Sequence, residues 1–254
     1  VGEDFPSDFR SYLEQKDIDL AGLEVRRGSK TFRWSGRYEG TMNEAETTEI
    51  ELNVLAEAGP KIPPQFADSS SIFLATTHPV LQMDLIDQLK SPKLIVADTR
   101  DFWIMQQRDG LIKTFGKVHG AILNDGEARL LTDESNLVLA GRKILDYGPQ
   151  FVVIKKGEHG VMLVTKDAVV ALPAFPTDQV KDPTGAGDSF AGGRMGYLDA
   201  QNTIGTDTLR NALARGTITA SYTIEDFSLR KIETIAPADV DARLGAFAAM
   251  VAVR

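Results

Sequence analysis

Four short runs are apolar at every position: residues 72–75 (Ile-Phe-Leu-Ala), 94–97 (Leu-Ile-Val-Ala), 121–123 (Ala-Ile-Leu) and 151–154 (Phe-Val-Val-Ile). A strand that faces water on one side alternates apolar with polar residues, so strands like these must be covered on both faces, as inside a parallel sheet. Segments of helical periodicity separate them, at 80–89, 102–115 and 137–147. Buried strands alternating with helices predict an α/β fold, a doubly wound, mostly parallel sheet flanked by helices. Runs at 161–164 and 168–171, joined by Lys166-Asp167, predict a hairpin. Helices dominate the remainder, at 186–200, at 208–222 and after Pro237, a favoured first-turn residue.

Another kind of strand precedes this body. Residues 31–38 and 47–54 alternate apolar and polar side chains and read as half-exposed antiparallel strands. The segment from about 30 to 55 is therefore a small β projection, and Pro60, Pro63 and Pro64 mark the return to the body. No repeat or low-complexity linker interrupts the 254 residues, so one domain over 1–254 is expected. A net charge of −8 offers no electrostatic footprint for nucleic acid or an acidic membrane. The longest apolar stretch, at 245–253, is too short to span a bilayer. The acidic start lacks a signal-peptide pattern. The chain has no cysteine, which removes disulfides and thiol chemistry and fits a cytoplasmic protein. The three histidines show no metal-ligand spacing, and Met83, Met105, Met162 and Met195 read as core filler.

The nonapeptide Asp182-Pro183-Thr184-Gly185-Ala186-Gly187-Asp188-Ser189-Phe190 carries the chemistry. Its glycines form a turn that opens a helix whose apolar face is Ala191, Met195 and Leu198. The first amides of a helix have no partner within it and lie at the positive end of its dipole, so they form an anion site. Asp188 stands beside it, and amides next to a carboxylate suit transfer of a phosphoryl group to a hydroxyl. Gly-x-Gly turns also open helices for purely structural reasons, and residue types alone leave both readings open.

Ligands of parallel sheets bind beyond the carboxyl ends of the strands. Asp98, Asn124 with Glu127, and Lys155-Lys156-Gly157 with Gly160 all follow the apolar runs. Each has a plainer use: Asn124 and Glu127 as a helix capping box, the lysines as solvated loop charges, and Gly157 as a turn residue.

Taken together these motifs resemble the ribokinase (PfkB) family of carbohydrate and nucleoside kinases. The nonapeptide is similar to that family's C-terminal signature, Asn124-Asp125-Gly126-Glu127 to its Asn-x-x-Glu motif, and Lys156-Gly157-Glu158-His159-Gly160 to its nucleotide-binding turn. The start, Val1-Gly2-Glu3-Asp4-Phe5, and Asp17-Ile18-Asp19 resemble early family segments. The resemblance implies a ribokinase-like fold with a β lid, and an enzyme moving the γ-phosphate of ATP to a hydroxymethyl group of a sugar or nucleoside. It makes Asp188 the catalytic base and gives Gly185, Ala186 and Gly187 the amide anion hole. Asn124, Glu127, Lys156, Gly157, Gly160 and Thr184 would bind the nucleotide. Glu127 would order Mg²⁺ through water, and Asp182 would hold a monovalent cation, K⁺. The absence of Gly-x₄-Gly-Lys-Ser/Thr and of the protein-kinase motifs excludes those classes.

The β segment fits the family's lid, which closes over the acceptor. Phe32, Trp34 and Tyr38 alternate along one strand, facing either a ligand or a partner strand or subunit. Trp34, Asn53 and Asp101 are candidate acceptor residues, the lid stretch and 98–103 being most like bacterial nucleoside kinase-like members. Asp101 stands where the nearest of those carry an amide. Lids of this kind pair between protomers, so a homodimer is expected. The family's opening strand and Gly-Gly segment do not precede Val1, so the chain reads as truncated relative to the family. The alternative reading is accordingly a non-catalytic nucleotide-binding module, or an inactive fragment lacking the acceptor site.

Overall fold

A computed structural model describes residues 1–38, 40, 42 and 45–252. Helix α1 (Ser7–Gln15) lies near the start, and the strands β1 (Arg33–Tyr38) and β2 (Ala45–Glu51) pair antiparallel as a separate two-stranded sheet. The register slips between Ser35 and Gly36, and the Trp34 indole lies where a side chain at Gly36 would stand.

A six-stranded sheet follows in chain order: β3 (Ser71–Leu74), β4 (Leu94–Asp98), β5 (Gly120–Asn124), β6 (Phe151–Lys155), β7 (Val161–Thr165) and β8 (Val169–Leu172). The crossovers α2 (Pro79–Asp87), α3 (Asp101–Phe115), and α4 (Asp125–Thr132) with α5 (Leu137–Leu145) make β3 to β6 parallel. β7 and β8 return as the expected hairpin. α6 (Ala186–Asp199), α7 (Thr206–Thr223) and α8 (Pro237–Val251) complete the described chain. The helix starts follow local chemistry. His78 accepts from the Val80 amide with Pro79 in the first turn of α2, and Asn136 accepts from Val138 and Leu139 at α5.

The uniformly apolar strands feed two cores because successive side chains leave a strand on opposite faces. Leu94, Val96, Ile122, Phe151 and Val153 pack with Phe190, Leu198, Leu213 and Phe247 of α6 to α8. Ile95, Ala97, Ala121, Leu123, Val152 and Ile154 pack with Ile104, Leu111, Leu131 and Ile144 of α3 to α5. This alternation also orients the strand ends. Asp98 continues the parity of Leu94 and Val96, Asn124 that of Ile122, and Lys155 that of Phe151 and Val153, so all three belong to the α6 side. One expectation needs correcting. Met105 is 62% exposed and fills no core. The buried face of α3 runs through Ile104, Leu111 and Phe115 at helical spacing, and Met105, one residue on from Ile104, lies about 100° around the helix from it.

Candidate active site

The start of α6 is built on Gly185, whose φ of 81° belongs to the left-handed region that glycine occupies without strain. Asp182 folds the preceding turn by accepting the Thr184 amide at 2.9 Å. The Ala186 amide is taken by the Pro183 carbonyl at 3.1 Å, and the first helical bond runs from Ser189 to the Gly185 carbonyl at 2.9 Å. Ala186 is thus already engaged. The amides of Gly185, Gly187 and Asp188 have no backbone acceptor among the described residues. Asp188 sits in the first turn, exposed at the mouth of the site. Partial burial of its carboxyl, helped by Asp98, raises its pKa, and Lys155 opposes the shift.

Facing that helix start is a cluster of charge at the sheet edge. A Cβ placed on Gly187 would lie 3.5 Å from the Lys155 ammonium. Lys155 Nζ is 3.4 Å from Asp98 Oδ2, while Asp98 Oδ1 accepts the Thr99 amide at 2.9 Å. The Lys155 side chain keeps 23% of its surface open and that of Asp98 10%. Burial works against the lysine's charge, but Asp98 and Glu127 outweigh it and raise its pKa. Asn124 and Glu127 form a complete capping box on α4: Glu127 N–H donates to Asn124 Oδ1 and Asn124 N–H to Glu127 Oε2, each at 2.7 Å. The plain capping role is therefore real, and it also fixes the Glu127 carboxyl beneath the charged edge. Burial pushes its pKa up to about 7, with Lys155 opposing and Asp98 adding to the rise.

The Lys156 turn is compact. Lys156 N–H donates to the Gly160 carbonyl at 2.8 Å, and Gly157–His159 makes one 3₁₀ turn. Gly160 has φ 86° and lies against the backbone of Leu172 and Pro173, so no side chain fits there. The weaker acceptor candidates are scattered in role. Asn53 donates to the Thr31 carbonyl at 2.9 Å and to Glu51, holding the base of the two-stranded sheet. Asp101, the first residue of α3, accepts the Phe102 amide at 2.8 Å, with its side chain 60% exposed. Trp34 donates to Thr47 Oγ1 at 3.1 Å, and the Arg100 guanidinium lies 5.6 Å from the centre of its ring, tying β1 to the edge of the large sheet.

Sequence reasoning passed over several residues. Thr77 Oγ1, Gln82 Oε1 and Thr99 Oγ1 are buried without a hydrogen-bond partner, all beyond the carboxyl ends of β3 and β4 or on the helix that follows. Gln82 Nε2 ties the two strand ends together through the Ala75 and Asp98 carbonyls, at 3.0 and 3.1 Å. Arg194, on α6, is wholly buried beside the Phe151 ring with Nε and Nη1 unbonded. Burial lowers its pKa to about 10. Among the described residues no group of three or more His, Cys, Asp or Glu side chains is placed to hold a metal. No helix among them is long and apolar enough to cross a membrane.

The family model for pfkB carbohydrate kinases matches residues 80–235, the stretch that contains this edge. The chain is 29% identical over 205 residues to a cytidine kinase of Thermococcus kodakarensis, covering 78% of this chain and 71% of that protein. It is 25% identical over 232 residues to a nucleoside kinase of Methanocaldococcus jannaschii, covering 89% and 71%. The solved structure of M. jannaschii nucleoside kinase, an archaeal member of the ribokinase family, superposes with a TM-score of 0.73 at 21% identity, over 97% of this chain and 79% of that one.

Proposed function

The chain belongs to the pfkB family of carbohydrate kinases, and from that premise we propose that it moves the γ-phosphoryl group of ATP to a hydroxymethyl group of a sugar or nucleoside at the edge formed by β4, β5, β6 and α6. It is a phosphotransferase of the carbohydrate and nucleoside kinase class. One observation carries the finer reading: the unbonded amides of Gly185, Gly187 and Asp188 converge with the Asp188 carboxylate at one helix start.

In this scheme the acceptor oxygen attacks the γ-phosphorus and the bond to the β,γ-bridging oxygen breaks, its electron pair leaving with ADP. The acceptor proton passes to an Asp188 carboxylate oxygen. The amides hold the phosphoryl oxygens as charge redistributes, a preorganised arrangement that needs no further rearrangement during the step. The Lys156, Gly157 and Gly160 turn, with Thr184, would bind the rest of the nucleotide. The donor set suits Mg²⁺ carried in with the nucleotide better than a metal caged by protein, since Mg²⁺ keeps several waters. Glu127 would hold it through water, and the ion would neutralise phosphate charge. For a monovalent cation Asp182 offers the carboxylate oxygen that Thr184 leaves free, and no step is assigned to it.

The unbonded Thr77, Gln82 and Thr99 oxygens support an acceptor rich in hydroxyls, because buried polar atoms left unpaired are costly until a ligand pairs them. Trp34 and Arg100 would close over that acceptor. A two-stranded ribbon alone is marginal in water, which supports pairing of two protomers through the lid. The test is ADP release from Mg-ATP across a panel of nucleosides, pentoses and hexoses. Turnover with an acceptor, abolished in Asp188→Asn, is expected; a panel that never exceeds the Asp188→Asn background refutes the proposal.

A further inference from the structure

Lysine side chains away from water are held by carboxylates that use their donors fully. Lys155 is not held in this way. Among the described residues its one hydrogen bond is to Asp98 and is long at 3.4 Å, and the ammonium lies 3.5 Å from the position a Cβ on Gly187 would take. An ammonium has three donors. The site therefore has a cation with unused donors facing the glycine whose amide is also unused. The charges around it are Asp98, Glu127 and Asp188, with Arg194 on the adjoining helix interacting with the same Asp98. The three carboxylates hold the lysine in place, and its unused donors toward Gly187 are what an incoming anion would meet.

Resting on the phosphoryl-transfer reading above, we propose that Lys155 is a catalytic residue whose ammonium binds the transferring γ-phosphoryl oxygens opposite the Gly187 amide. Asp98 is its holding partner: it keeps the lysine extended toward the helix start when no nucleotide is bound. Lys156, next in sequence, lies past the end of the strand in the turn that closes onto Gly160 and does not share this role. The lysine takes and gives no proton. Its charge strengthens contact with the phosphoryl oxygens, and its proximity keeps Asp188 more easily ionised than burial and Asp98 alone would allow.

The test compares wild type with Lys155→Gln, which retains a donor for Asp98 and loses the charge, and with Lys155→Arg, which keeps the charge. Dissociation constants for ADP and for a non-hydrolysable ATP analogue, each with Mg²⁺, are measured by calorimetry beside kcat and melting temperature. Lys155→Gln is expected to bind ADP within about threefold of wild type, to lose wild type's preference for the analogue over ADP, and to lose about 10²–10³ in kcat, the range for one preorganised stabilising group. Lys155→Arg is expected to recover at least part of that preference. A folded Lys155→Gln with unchanged kcat and analogue preference overturns the proposal, as does loss of the fold in both variants, which would make Lys155 a structural ion-pair member. Failure of the parent reading looks different: wild type itself would show no turnover and no analogue preference.

Discussion

Gly187→Ala separates the chemistry of the α6 start from its architecture. Gly187 does not have the positive φ of Gly185, so alanine is allowed by the backbone. The added methyl would meet one neighbour, Lys155 Nζ, at 3.5 Å, an ordinary contact. Within the helix, replacing glycine by alanine favours folding by up to about 1 kcal/mol. The fold is therefore expected to keep or slightly raise its melting temperature. Catalysis should respond in the opposite direction. The methyl would stand 3.5 Å from the Lys155 ammonium, in space that a phosphoryl oxygen held by that ammonium and the Gly187 amide would need. Loss of one such stabilising donor is worth about 3–4 kcal/mol, or 10²–10³ in kcat. Coupled-enzyme detection of ADP gives the rate, and differential scanning fluorimetry gives the melting temperature. A variant that melts like wild type and turns over within threefold of it would refute an anion site at this helix start.

Three further outcomes follow from the same geometry. Asp188 must be ionised to accept a proton, and its folded pKa is raised, so kcat/KM should fall with decreasing pH through a limb above the ordinary aspartate value near 4; because Lys155 opposes that rise, Lys155→Gln should move the limb higher, and a limb that stays put removes the coupling. Arg194→Met should raise the melting temperature, since it removes a buried charge with two unbonded nitrogens, and a buried charge without a partner is costly; a lower value in calorimetry would mean the guanidinium is well paired. Gly160→Ala should cost about 2–5 kcal/mol in a urea titration, from left-handed strain and overpacking against the Leu172 and Pro173 backbone, and near-wild-type stability would contradict that close approach.

The body of the fold was legible because its strands have a single physical explanation. A run such as Phe151-Val152-Val153-Ile154 can be apolar throughout only if both faces are covered, and Val152 and Val153 do go to opposite cores. The helix start at Gly185 was legible for a similar reason, since glycine there has the φ of 81° that other residues avoid. Asn124 and Glu127 were legible as a capping box, because Asn124 both ends β5 and caps α4. The unbonded oxygens of Thr77, Gln82 and Thr99 were not legible. A buried threonine looks like any strand-end threonine in sequence, and only packing shows that its hydroxyl has no partner. Met105 misled because it was read from residue type, whereas its place one residue past Ile104 puts it off the face of Ile104, Leu111 and Phe115.

The choice between Lys155 and Lys156 shows where a sequence signal existed and was passed over. Family resemblance points to Lys156, beside the glycine of the nucleotide turn. Strand periodicity points to Lys155: side chains two apart share a face, so a lysine following Phe151 and Val153 belongs with the residues that pack on α6. Asp98 follows Leu94 and Val96 by the same count, and Asn124 follows Ile122. Carrying the core-facing parity of each parallel strand past its last apolar residue therefore assembles an acid, an amide and an ammonium on the side where α6 begins. Lys156, one position on, has already left the strand (ψ 31°), and its backbone amide closes the turn onto Gly160. The alternation that divides the two cores is thus also what brings the charged strand ends to the helix start.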